Sequence, residues 1–393
     1  MQSESISHPA SLENIAGPSS RPPTRHSYSS RYSSVYADDP PNDEALLNQY
    51  SSGGITDISN QISNDSKPDA TDNPTLRSLT RHPEFWFYDG SIVLSVQETL
   101  FRVHQTILST HSDIFSDLFT VPQPDGEYMI EGCHVVILHD DAKDFEDLLR
   151  AVYLPKYVPR IFCHNPTLIC HRPFESITVN SDLEAVLMAI SGVLRLSNKY
   201  LIRHLRQFCV DLLLWKLPNT FEKYDHKVHS YRSASIMRAI LLAQQHTVPE
   251  ALPYLYYSLS RVSLRRFLKD RPGDVSWKEK TIALVGRERL FEAQVSITHA
   301  FLINFERAPT CASPLCAHAR GPRAQWQIIE NGGRCPHPLK PFEDWDGLNV
   351  CSDCVEYCKA KHLLGRKEVW RLLPVWFELS PWEELKKAQA QEC

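Results

Sequence analysis

Two short cysteine spacings near the C-terminal end carry the strongest chemical signal in this 393-residue sequence. Cys311-x4-Cys316 precedes Cys351-x2-Cys354, with 34 residues between the pairs. Each spacing lets two sulfurs face one ion, and structural zinc sites are built from two such pairs around a tetrahedron. A full thiolate set leaves no open coordination position, so an ion held here would be structural. Zinc can contribute on the order of 10 kcal/mol toward folding a small segment with little core. His318, Cys335, His337 and Cys358 crowd the same region. The spacing therefore leaves the final ligand set open, and buried free thiols are the competing reading.

Three weaker patterns stand beside it. Cys163-His164 and Cys170-His171 repeat a ligand-type pair inside a segment broken by Pro155, Pro159, Pro166 and Pro173. Metal binding and coincidence both fit that pair. Arg261, Arg265, Arg266, Lys269 and Arg271 form a basic run preceded by Tyr254, Tyr256 and Tyr257. A nucleic-acid groove wants such cations beside stacking aromatics. The tyrosine spacing suits core packing equally well, so a solvated helix face is expected. The third is RPPTRHSYSSRYSSVY at 21–36, which could serve as a phosphorylation-tuned docking segment but reads first as a solvated tail. Enzyme motifs are missing: there is no G-x-S-x-G, Walker A, G-x-G-x-x-G or H-E-x-x-H. The expectation is a protein without catalysis.

Composition narrows the setting. A formal charge of −5 gives no global attraction to nucleic acid or anionic membrane. No stretch approaches the roughly 18 apolar residues that a membrane span needs. The first residues, MQSESISHPASLEN, lack the basic start and apolar core of a secretory signal. Cytoplasm or nucleus follows as the expected compartment. Eleven cysteines, an odd number, then read as buried thiols or metal ligands rather than a disulfide framework.

The elements that must position these residues begin after a different kind of sequence. Residues 1–80 hold 17 serines and no apolar repeat, too little apolar surface to offset chain entropy, so a disordered tail is expected. Ile92-Val93-Leu94 with Val96 reads as a buried strand after Asp89-Gly90. A second strand at Thr99–Val103 follows a turn at Gln97-Glu98, and Cys133–Leu138 is a third. Between them, 104–119 spaces Ile107, Leu108, Ile114, Phe115, Leu118 and Phe119 for one helix, or two broken near Ser112. Asp140-Asp141 can cap a further helix with Phe145, Leu148, Leu149 and Val152 on one face. Residues 154–180 read as an inserted loop. Ser181-Asp182-Leu183-Glu184 has capping-box form, and Asn198–Trp215 continues as another amphipathic helix. The pattern from 234 to 306 is helical, with a second capping box at Ser276–Glu279. The Cys- and Trp-rich end closes with Ser380-Pro381-Trp382-Glu383, a cap followed by proline.

Asp89-Gly90, Phe101-Arg102-Val103-His104, Leu108, Ser112, Phe115 and Phe119 resemble the D-G…F-x-x-H-x-x-x-L…S-x-x-F…F signature of the BTB/POZ family. The order strand, strand, helix pair, strand, helix fits it too. Residues 131–157, 286–294 and 373–385 extend the likeness, over roughly 83–385, to BTB proteins of mushroom-forming fungi. Family members of the transcription-factor class carry an Asp and a basic residue where Ser91 and Gln105 stand here. Co-repressor recruitment through such a charged pocket is therefore not implied. The long N-terminal strand used for swapped dimers finds no clear counterpart in the sequence.

The resemblance implies an α+β BTB/POZ domain followed by an all-helical extension and a small Cys-rich C-terminal module. The expected boundaries are 1–80 tail, 81–216 BTB domain with its insertion near 154–180, 217–308 extension and 309–393 module. It further implies a protein-interaction scaffold. Its partners would be another BTB chain, a cullin-type ubiquitin-ligase scaffold or a transcriptional regulator. A substrate adaptor of such a ligase, or a nucleic-acid-binding regulator using the Cys-rich module, are the alternatives. No recognised substrate-binding repeat follows the extension.

Overall fold

The computed structural model describes residues 79–121, 129–153, 181–226, 230–271, 273–318 and 336–392. The expected N-terminal tail up to residue 78, the 154–180 insertion with both Cys-His pairs, and Cys335 lie outside the described residues.

Alternating and β-branched side chains build one five-stranded mixed sheet. Its strands are β1 (Thr80–Trp86), β2 (Ile92–Val96), β3 (Thr99–Val103), β4 (Met129–Ile130) and β5 (Cys133–Leu138), in the order β1-β3-β2-β5-β4. The expected hairpin is β2–β3, antiparallel, with Leu94 opposite Phe101 and Gln97 in the left-handed region at its turn. Parallel pairing sets β5 against β2, Val93 facing Val135 and Val96 facing Leu138. Every residue of β2 is buried, as a central strand covered on both faces requires.

β1 was not anticipated. It pairs in parallel with β3 of its own chain, Thr80 opposite Thr99, through an irregularity between Arg81 and Trp86. Pro83, which lacks an N–H donor, sits in that gap and hides the strand from a propensity reading. Arg81 stacks over Trp86 at 4.6 Å, and Glu131 holds both Arg81 (2.7 Å) and Arg102 (2.9 Å). These contacts cover the outer face, where Val93, Leu100 and Cys133 form a small cluster.

The helix pair separates as α1 (Gln105–His111) and α2 (Asp113–Thr120), broken at Ser112. α3 (Ala142–Tyr153) buries Phe145, Leu148, Leu149 and Val152, with Asp141 accepting from the Lys143 and Asp144 amides. α4 (Leu183–Lys199) starts at Asp182, whose carboxylate accepts from Ala185 N at 2.8 Å. The helix is as expected, but the cap is Asp182 and not the Ser181 of the capping box.

The next helix is shorter than its sequence suggests. α4 keeps Asn198 and Lys199, Leu201 turns left-handed at φ 52°, and α5 spans Arg203–Lys216. Ile202 N closes back on Ser197 O at 2.8 Å. This is a Schellman ending made without glycine, so no residue type marks the break.

The extension consists of α6 (Phe221–Asp225), α7 (Ser233–Gln245), α8 (Leu252–Ser260), α9 (Leu264–Phe267), α10 (Trp277–Ala293) and α11 (Ala300–Ile303). A π-helical turn at Gln294–Thr298 links the last two. Ser276 caps α10 as expected, but it accepts from Lys278 N at 3.2 Å and bonds the Glu279 side chain through its hydroxyl, in place of the backbone bonds of a capping box. α12 (Ser352–Trp376) and α13 (Trp382–Glu392) complete the chain. Tyr254, Tyr256, Tyr257, Val369, Trp370, Leu373, Phe377 and Trp382 share one continuous core with Phe85, Phe101 and Phe145. Trp382 stacks on Trp370 at 5.4 Å and donates its indole N–H to Trp370 O at 2.9 Å.

Candidate functional site

Among the described residues, one group of thiols is arranged to hold an ion. Sγ atoms of Cys311, Cys316, Cys351 and Cys354 all lie within 4.8 Å of one another, and Cys311 and Cys351 approach to 3.6 Å. Cys311 comes from the irregular segment after α11 and Cys316 from the 3-10 turn Pro314–His318, Cys351 and Cys354 from the start of α12. Donors surround them. Ala308 N donates to Cys354 at 3.3 Å, Cys351 N to Cys316 at 3.2 Å, and Arg307 Nη2 reaches Cys311 at 3.6 Å. Burial opposes ionisation of Cys311, yet hydrogen bonds led by Arg307 bring its thiol down to about 6. Burial pushes the Cys354 thiol up to about 12.

Two neighbours that the spacing left open face elsewhere. Cys358 is buried with Phe301 and Leu302 in a separate cluster. His337 Nδ1 lies 2.6 Å from Tyr257 Oη, and its amide donates to Gln294 Oε1 at 2.7 Å. Ala308 was invisible as a site residue because an amide donor has no residue-type signature, and Arg307 because a single arginine before the first cysteine carries no ligand spacing.

At the other end of the chain, the polar residues of the Asp-Gly and Phe-x-x-His segments are consumed internally. His104 Nε2 lies 3.2 Å from Asp89 Oδ1, and the His104 amide donates to Tyr153 Oη at 2.8 Å. Burial pushes that phenol up to about 12. Gln105 donates twice to Ser91: N–H to Oγ at 3.0 Å and Nε2 to the carbonyl at 3.1 Å. Each of these two neutral side chains is thus satisfied by the other residue's backbone. Gly90 is required by packing: a Cβ there would come within 3.0 Å of the Arg102 carbonyl carbon. With β2, β3, β5, both short helices and α3 built around these residues, residues 88–161 match the family model of the BTB/POZ domain.

The chain carries a BTB/POZ domain. No curated protein matches the chain. BTB domains are in general protein-interaction modules, often dimeric, and usually non-catalytic. In this one, apolar side chains stand out from the fold: Tyr88 is 89% exposed, Ile137 on β5 69% and Ile114 on α2 39%.

The basic run is not the uniformly solvated face the sequence suggests. Arg266 is buried in a bidentate pair with Asp274, at 2.9 and 2.7 Å, and Arg261 stacks over Tyr257 at 5.7 Å. Lys280, fully buried, reaches Asp270 at 3.0 Å. Tyr254, Tyr256 and Tyr257 are buried and offer no ring to a base. Among the described residues, no helix is long and apolar enough to cross a membrane.

Proposed function

We propose that this chain is a non-catalytic protein-interaction scaffold, acting in the cytoplasm or nucleus through self-association of its BTB domain and recruitment of a protein partner. The observation that carries the reading is the division of labour at that domain. Asp89, Ser91, His104, Gln105 and Tyr153 are used in internal bonds. Apolar side chains such as Ile114 and Ile137 face outward. A surface of that kind offers contact area rather than chemistry. The Ser91–Gln105 pair favours a second BTB chain or a cullin-type scaffold over a transcriptional regulator that reads a charged pocket.

In this reading the functional units follow the sequence boundaries, with the BTB domain over 81–216, the extension over 217–308 and the Cys-rich module over 309–393. The four thiols belong to a structural metal site, most suited to zinc.

Light scattering of the full chain tests the proposal, with Ile114→Asp and Ile137→Asp as interface variants and binding to a second BTB chain and a cullin N-terminal region measured in parallel. The expected result is a dimer, or a defined complex with one of the two, weakened by at least one variant. A monomer that binds neither would overturn it. Salt-dependent DNA binding abolished by a chelator would replace it with the nucleic-acid reading.

A further inference from the structure

We propose that Cys311, Cys316, Cys351 and Cys354 bind one Zn2+ as a closed tetrathiolate, and that this ion is a local clamp between the 305–318 segment and the first turns of α12. The inference rests on reading the four thiols as a metal site and goes beyond it in assigning what the ion holds together.

The geometry is close to that of the loaded site. Zn–S bonds of about 2.3 Å imply tetrahedral edges of about 3.8 Å, against 3.6 Å for Cys311–Cys351 and an outer limit of 4.8 Å for the set. Three nearby alternatives, Cys358, His337 and His362, have other partners. Cys358 packs on Phe301 and Leu302. His337 pairs with Tyr257. His362 Nδ1 meets Thr298 O at 2.7 Å, while its Nε2 accepts from Phe342 N at 3.0 Å. One Zn2+ held by four thiolates leaves the site with a net charge of −2. Arg307, the Ala308 and Cys351 amides and the N-terminal end of a 25-residue helix all oppose that charge.

The clamp is local because little else holds this corner. Its core is Ala308, Cys316 and Cys354, with Phe305, Val350 and Tyr357 partly buried around them, so the sulfurs are themselves most of the buried material. The later half of α12 is held independently: Val369, Trp370, Leu373 and Phe377 belong to the main core, and Arg366 donates to Leu339 O at 2.9 Å. Loss of the ion should free 308–318 and 350–358 and leave 366–377 in place.

The test uses the reduced full chain, stripped with a chelator and titrated with Co2+ and then Zn2+, with hydrogen exchange measured in both states. Expected are one equivalent of Co2+ with tetrahedral thiolate absorption, its displacement by Zn2+, and loss of the absorption in Cys316→Ser and Cys354→Ser. Cys358→Ser and His337→Ala should keep the stoichiometry. Amide protection should disappear at 308–318 and 350–358 without metal and persist at 366–377. Absence of thiolate absorption in the wild-type chain overturns the metal reading itself. Metal binding with protection unchanged everywhere, or lost equally through 366–377, overturns the clamp and leaves the metal reading standing. Loss of stoichiometry in the Cys358 or His337 variant overturns the ligand assignment.

Discussion

Phe377 packs against Gly286, where a methyl group would overlap its ring. Gly286 is in the middle of α10 and Phe377 is the C-cap of α12, so the pair sets how closely these helices approach. Mid-helix glycine costs roughly 1 kcal/mol relative to alanine, and here close packing offsets that cost. Gly286→Ala is expected to destabilise by about 1–3 kcal/mol, the range for overpacking, despite its better helix propensity. Phe377→Leu in the same chain should recover part of the loss. Urea midpoints of the two single variants and the double variant check this; additive losses would exclude the contact as the cause.

A buried serine joins the helix pair to the helices that follow. Ser112 Oγ donates to Tyr200 O at 2.6 Å and accepts from Phe115 N at 3.1 Å. It thus caps α2 and satisfies the carbonyl at the end of α4. Ser112→Ala removes both at once. The expected cost is about 2–3 kcal/mol, from a lost cap of ~1 kcal/mol and an unsatisfied buried carbonyl. Ser112→Thr keeps the oxygen and should cost less. Equal losses in the two variants, by chemical denaturation, would count against this account.

The sheet and helix order were legible because β2 opens with the apolar run Ile92-Val93-Leu94 and α3 and α4 keep their stripes in register. The residues of the thiol cluster were legible as a spacing, but that Cys358 and His337 turn to other partners was not, since it depends on tertiary packing around them. β1 escaped because Pro83 interrupts it and parallel pairing to β3 leaves no hairpin turn to read. The buried ion network, in which Asp274 meets Arg266 at 2.7 Å and Lys280 at 3.9 Å, escaped for another reason: basic residues near a helix end look solvated until an acidic partner is seen beside them.

Helix ends were the least legible feature. α4, α7 and α12 close through 6→1 bonds, Ile202 N to Ser197 O (2.8 Å), Val248 N to Ala243 O (2.7 Å) and Leu379 N to Pro374 O (2.9 Å). The left-handed residues in them are Leu201, Thr247 and Glu378, with φ between 51° and 58°. A β-branched residue is the worst fit to that region. Thr247 is exposed, so glycine there removes strain without opening the core. Thr247→Gly is expected to stabilise by up to about 1 kcal/mol, the left-handed penalty less the entropy glycine adds to the unfolded chain. A lower melting temperature in this variant would refute it.

Acid should weaken the fold through two buried histidines. Burial lowers His299 to about 3 and His362 to about 4 from an ordinary value near 6.5. The two rings stand 5.2 Å apart among Phe301, Phe342 and Trp345, so a charge on either would be poorly solvated and would repel the other. Both folded values are depressed, so below pH 6.5 the unfolded chain takes up protons that the folded chain refuses. Stability is therefore full above about 6.5 and falls as the pH drops toward 4, by roughly 1.4 kcal/mol per pH unit for each histidine. His362→Gln keeps an acceptor for the Phe342 amide and removes one of the two titrations. The slope of stability against pH between 6.5 and 4 should then become shallower by about one proton. The difference between the variant and the wild-type chain isolates this effect from carboxylates and thiols titrating in both. Identical slopes would mean that His362 is already charged in the folded protein, or is not buried as its bonds to Thr298 and Phe342 require.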